Sequence, residues 1–217
     1  MEPQKTGFLH RVWRIARIPV YVIAALYVGL LIYRFPIVIE KKKTEEQVAK
    51  IHATKLTLKD VMGTNLPPAP DPRVKDLTVA GIDANSNGIR DDVELAIFKA
   101  YPNSAKIRAA ELQYALELQN ELTNVFNSET LVAVIQEEGR GNLCIKNTVP
   151  PRTASDSPST ITNNLALISA RASAVEDLVV NTEMRKSKQK EIYQKYMTSY
   201  RSIEKEDCDI SLASLPN

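Results

Sequence analysis

The chain has 217 residues, enough for one domain of about 150 residues and a further segment. Lys and Arg number 28 and Asp and Glu 26, a net charge of +2, and no basic stripe with interleaved aromatics occurs, so nucleic acid is not an expected partner. Two cysteines without a C-x-x-C and two histidines, His10 and His52, leave a zinc site short of ligands.

Residues 18–33 read IPVYVIAALYVGLLIY, without a charge, between Arg17 and Arg34. With their apolar neighbours they reach about 20 residues, the length of a bilayer-spanning helix. Trp13 on one flank and Tyr33 and Phe35 on the other suit the membrane interfaces, and Pro19 stands near the start of the span, where a helix tolerates it. A cleaved signal peptide would need a small-residue site after the apolar core, but YRFPIVIE follows. The sequence therefore predicts a tail at 1–17, a transmembrane helix at 18–35 and a juxtamembrane helix or stalk at 36–64. Four basic residues stand on each side of the span, so flanking charge alone does not orient it.

Residues 65–72, NLPPAPDP, hold four prolines and predict a stiff, extended linker. The domain is expected at 73–217. RVKDLTVAG, which opens it, has no helical period. A helix is expected from Asp91 to Tyr101, with Pro102 ending it and Asn103 or Ser104 capping the next. That next helix, 105–126, carries Tyr114, Leu118, Leu122 and Val125 as an amphipathic stripe. Ser128 can cap a short helix around Leu131, Val132, Val134 and Ile135, closed by Gly139 and Gly141. After a polar loop, Ser157 and Pro158 suit the start of a helix to about Val180, with Ile161, Leu165, Ile168, Ala172, Val175 and Val179 inward. Asn181 or Thr182 starts a last helix with Met184, Ile192, Tyr196 and Ile203 inside. Strand signals are nearly absent, so the fold class is all-α: a single membrane span, then a bundle of about five helices.

One motif carries chemistry. In GIDANSNGIRDDVE, residues 81–94, Asp83, Asn85 and Asn87 occupy loop positions one, three and five, and Gly88 at six permits a sharp bend. Ile89 at seven offers its carbonyl, Asp91 at nine binds directly or through water, and Glu94 at twelve closes the site. This fits the EF-hand pattern D-x-[DN]-x-[DN]-G-x5-E, and Ca²⁺ is the expected ion. Asp91, Asp92 and Glu94 also favour the start of a helix. The entering helix of an EF-hand is missing, so a sensor-like opening has little to act through. The competing reading is a metal-free polar turn in front of a helix.

Cys144 and Cys208 are read as one disulfide closing a loop of about 65 residues, worth roughly 4 kcal/mol in the chain-entropy model, and implying an oxidising compartment. Two buried free thiols are the alternative. The loop itself resembles the single EF-hand-like loops of bacterial extracellular proteins such as dockerin modules. LPPAPDP, then LTVAGIDANSNGIRDDVELAI and YPNSAKIRAAELQYALELQ, resemble a group of uncharacterised exported bacterial proteins over roughly residues 66–208. The resemblance implies a Gram-negative envelope location and a calcium-type loop, and carries no activity.

The functional expectation is a membrane-anchored protein of the bacterial inner membrane, its calcium-stabilised domain in the periplasm as a binding or structural module for other envelope proteins. A subunit of a larger inner-membrane assembly is the alternative. An enzyme is not expected, because no catalytic constellation and no His occur within 73–217, and the adjacent Glu137 and Glu138 read as solvated surface.

Overall fold

The computed structural model describes the backbone of residues 5–216 and their side chains except those of 5–12, 14–16 and 18; the first four residues of the expected tail and Asn217 lie outside it. The regular elements among the described residues are all helices, without strands. The chain forms two compact units, Met1–Glu46 and Gln47–Asn217.

The first unit is helix α1, Lys5–Ala53, whose last turns pass into the second unit. From Pro19 onward it is long and apolar enough to cross a membrane, and none of its apolar stretch is buried in protein. Instead of beginning near Pro19, the helix runs through both Pro19 and Pro36. Each proline removes one backbone donor, a local loss that a long helix absorbs. Past the span, Lys41–Glu45 and Lys42–Glu46 pair at exposed i,i+4 positions.

The second unit begins well before the expected boundary at Arg73. Residues 47–53 of α1 belong to it, because Ile51 is buried and Val48 packs with it against Val125, Leu131, Val134 and Ile192. Helix α2, Leu58–Met62, is capped by Thr57, whose side chain and Asp60's bond each other's backbone N–H groups. Residues 65–80 follow as irregular turns, and Pro67 is buried among them, so the segment expected as a stiff, extended linker is in part a packed strap.

Helix α3 (Asp91–Ala100), α4 (Ala105–Asn124), α5 (Ser128–Lys146), α6 (Pro158–Val179) and α7 (Glu183–Tyr196) are the five expected helices, and a 3-10 turn, Leu212–Ser214, follows them near the end of the described residues. Ser104, Ser157 and Thr182 cap α4, α6 and α7 through side-chain bonds. Several details depart from the sequence reading. Helix α5 is capped by Asn127 and continues through Gly139 and Gly141. The reason lies at Gly141, where a Cβ would stand 3.0 Å from Tyr114 Cα: the missing side chain lets α4 and α5 approach. Helix α7 ends before Ile203, and Met184 is exposed.

A further departure is the largest. Helix α4 is no amphipathic surface helix but the central rod of the unit, buried on all faces together with Glu111, Gln113, Glu117, Gln119, Asn120 and Glu121. Helices α2, α3, α5, α6 and α7 all pack on it. On α6, Ala172, Val175 and Val179 are inward as expected, while Leu165 near its start is exposed. Cys144 and Cys208 form the disulfide, Cα atoms 5.0 Å apart.

Candidate metal centre

The loop from Asp83 to Glu94 joins the strap to α3, and α3 starts at Asp91. Gly88 adopts a φ of +88°, and Ser86 is the one non-glycine residue of positive φ among those described. The bend is closed by Asp83, whose Oδ1 accepts from Asn87 N–H at 3.1 Å and Oδ2 from Gly88 N–H at 2.9 Å. Asp91 Oδ1 accepts from Ala84 N–H at 2.9 Å, while Asp91 N–H donates to Ile82 O. Ile89 turns its side chain into the core, fully buried, as its place in the pattern requires.

Glu94 lies at the centre of the remaining groups. Asn85 Nδ2 and Asn87 Nδ2 both donate to its Oε2, at 3.0 and 3.1 Å. Three oxygens are left buried and without a hydrogen-bond partner: Asn85 Oδ1, Asp91 Oδ2 and Glu94 Oε1. They belong to positions three, nine and twelve of the motif. Orphaned buried oxygens are costly, so their clustering in one loop needs a reason. Burial pushes the Glu94 carboxyl up to about 7 against the two asparagine amides, with Asp60 and Asp91 adding to the rise. Asp91 is raised as well, first by burial, with Ala84 N–H opposing and the charges of Asp83 and Asp92 reinforcing it.

The donor set is of hard oxygens, suited to Ca²⁺ rather than to softer ions. Among the described residues, no three Asp, Glu, His or Cys side chains stand together as a ready metal cluster. The loop acids bond the loop's own N–H groups instead, and the other predicted donors are two amides and a carbonyl.

Sequence reasoning missed the groups around the loop. Asn85 Nδ2 also donates to Asn65 O at 2.7 Å, and Asn65 Nδ2 donates to Asp60 Oδ1. Burial alone would raise Asp60, but the Thr57 hydroxyl and N–H, with Asn65 and Asn87, outweigh it and hold the carboxyl low. The spacing Thr57-x-x-Asp60 was a readable capping signal. No local signal marks the two fully buried arginines beside the loop, Arg90 and Arg185. Arg185 on α7 donates to the carbonyls of Lys75, Thr78 and Val79 and pairs with Asp76, fixing the strap. Arg90 pairs with Asp92 and donates to the carbonyls of Leu178 and Val179, tying the loop to the end of α6. Gly81, with φ +69°, fits beneath Arg90, where a Cβ would meet Cδ at 2.2 Å.

Two other expectations change. His52 belongs to the second unit, where its Nδ1 stands 2.6 Å from Glu137 Oε1. Glu137 is a buried ion-pair centre rather than solvated surface, held by Lys205, His52 and Arg140, and Glu138 Oε1 is also buried. No protein-family model, no curated protein and no solved structure matches the chain.

Proposed function

We propose that Asp83, Asn85, Asn87, Asp91 and Glu94, with the Ile89 carbonyl, hold a calcium ion that staples the domain of a single-span envelope protein. The observation that carries this reading is the coincidence of the three orphaned oxygens with three ligand positions of the motif. A divalent cation satisfies all three and offsets the burial cost of the Glu94 and Asp91 charges. Asn85 keeps its amide bonds to Glu94 and Asn65 and offers the oxygen it already leaves orphaned. Asn87 reaches the same point once its amide turns oxygen-inward, giving up its bonds with Glu94 and with Ile89 N–H for an ion contact. The ion supplies positive charge at the start of α3; Asp83 closes the bend, and Glu94 joins the bend to the helix.

The apolar α1 supports attachment to a membrane through one helix. The Cys144–Cys208 disulfide supports an oxidising compartment, and with it a bacterial inner-membrane anchor and a periplasmic domain. Such a module acts by contact with other envelope components. A second reading, a subunit of a larger inner-membrane assembly, draws on the exposed Leu165 and Leu167 of α6.

Calorimetric titration of the chelator-treated full chain in detergent tests the site. Calcium binding in the ~10⁻⁵ to 10⁻³ M range of extracellular modules is expected, and its loss in Asp83→Ala. Absence of saturable binding to the parent chain would leave the loop a helix-capping turn.

A further inference from the structure

A cleft of about 540 Å³ opens between the second half of α5, the end of α7 and residues 200–207, and none of the loop ligands lines it. Tyr114, Tyr193 and Tyr200 wall it, Met197 and Ile203 add apolar surface, and Glu138 contributes a carboxyl. This size suits a small organic ligand.

Behind Glu138 stands Glu121 of α4, fully buried and within hydrogen-bonding reach of it. Glu121 Oε2 accepts from Gln189 Nε2 at 3.0 Å. Glu121 Oε1 and Glu138 Oε1 are both shut away from water, and neither receives a donor from the described residues. Two acceptors facing each other share a proton or need a cation between or beside them.

Among the described residues, none supplies such a cation. Arg140 lines the cleft, but its guanidinium is taken by Glu137, Asp209 and the Glu206 carbonyl. Lys205 is taken by Glu137 and the His52 carbonyl. The other groups facing the pair only add negative charge or neutral polarity. Glu117 of α4 and Glu176 of α6 raise the Glu138 carboxyl further after burial has done so. Glu176 Oε1 accepts from Tyr114 Oη at 2.6 Å, the Tyr193 phenol is pushed up by burial and then by Glu138, Glu121, Tyr200 and Glu176, and Asp207 on the rim is held by Asn147.

A metal is a poor fit, since no three acidic, His or Cys side chains converge among the described residues. Aromatic walls around a carboxyl suit an organic cation, which gains from ring faces as well as from charge. We propose that this cleft binds a primary alkylammonium ion, with Glu138 as its anionic acceptor and the rings of Tyr193 and Tyr200 as its walls. The N–H groups of the ion donate to the Glu138 carboxylate at the cleft wall, and Glu121 stays buried behind it. The ion's charge takes the place of the proton that the pair otherwise shares, so each ion bound releases one proton to solvent. A quaternary ammonium brings the charge without the donors and binds less well. The site is independent of calcium at the loop.

The test is calorimetric titration of the full chain in detergent with 1,4-diaminobutane and with tetramethylammonium, in two buffers of different ionisation enthalpy near neutral pH. Both titrations are run in chelator and in saturating calcium, so loss of the loop site leaves this result standing. Saturable binding of diaminobutane with about one proton released and at least about tenfold weaker binding of tetramethylammonium are expected. Glu138→Gln should weaken binding by about tenfold or more. Tyr200 is half exposed, so Tyr200→Ala keeps the fold and should weaken binding several-fold if the ring is a wall. No saturable heat with diaminobutane, equal binding of tetramethylammonium, or unchanged binding in folded Glu138→Gln and Tyr200→Ala would overturn the proposal.

Discussion

Replacing Arg185 by Met asks whether one side chain holds the strap in front of the loop. Its guanidinium is fully buried and donates to three strap carbonyls, to Asn181 Oδ1 and to Asp76. Methionine is flexible and fills much of the vacated volume, so the difference reads mainly the polar contacts. The Asp76 carboxylate is 35% exposed, so the ion pair is screened and contributes no more than about 1 kcal/mol. The carbonyls of Lys75, Thr78 and Val79 lie on a half-exposed strap, and water takes up part of their loss, leaving about 1 kcal/mol each at most. A loss of about 3 kcal/mol follows, and for a unit of this size a fall in Tm of about 8 °C. Urea unfolding of the full chain in detergent, followed by circular dichroism, measures it. Arg185→Lys should recover little, because an ammonium cannot span acceptors spread over five residues. A change below about 0.5 kcal/mol in Arg185→Met would refute the reasoning, since surface substitutions do as much.

The glycines give a contrast in sign. Gly81→Ala must adopt a positive φ and push Arg90 aside, and should cost about 2 kcal/mol or more in urea unfolding. Gly139→Ala, in a helix with nothing near its Cβ, should stabilise by about 0.5–1 kcal/mol, whereas Gly141→Ala two residues on should destabilise against Tyr114. Reduction of Cys144–Cys208 should lower stability by about 4 kcal/mol, read as a shift of the urea midpoint with and without reductant. For pH, burial lifts Glu117 to about 8 and Glu111 to about 7 in the folded chain. The folded state therefore holds protons more tightly than the unfolded one, and this stabilisation is lost as pH rises from about 4.5 through 8. Asp60, Glu137 and Asp92 are depressed, so their stabilisation is lost only as pH falls below about 4. In chelator, Tm should be higher near pH 5.5 than near pH 8.5; the reverse order would contradict the burial of the α4 acids.

Local features were legible in the sequence. The caps at Ser104, Ser157 and Thr182 depend on one side chain and the next turn, and Gly88 on its own backbone. Once a zinc site lacked ligands, the cysteines left two readings, a disulfide or two buried thiols, and the disulfide is the one formed. Helix α4 was misread because period analysis sees its apolar stripe and assigns the polar remainder to water. Glu111, Glu117 and Glu121 are buried instead because five other helices surround this one, which no local pattern records. Gly139 and Gly141 read as a stop, but α5 continues because its contact with Tyr114 needs a missing side chain. The strap partners of Arg185 lie more than a hundred residues away in sequence, beyond the reach of any periodicity.

The missing entering helix takes a different meaning with the strap in view. In a helix–loop–helix sensor, a cation reorients two helices joined by the loop, and the motion needs an entering element free to swing. Here residues 75–79 are pinned by Arg185, and Arg90 ties the loop to the carbonyls that end α6. Asn85 adds a bond back to Asn65, so the loop is held on the strap side, at its exit and from α6. A cation arriving at Asp83 and Glu94 meets a frame already fixed, and its binding free energy adds to folding stability rather than to a change of shape. On the proposed calcium reading the ion is thus a staple. Titration should raise Tm as the logarithm of calcium concentration while the helical signal stays constant, and a calcium-dependent change in helix content would point back to a switch.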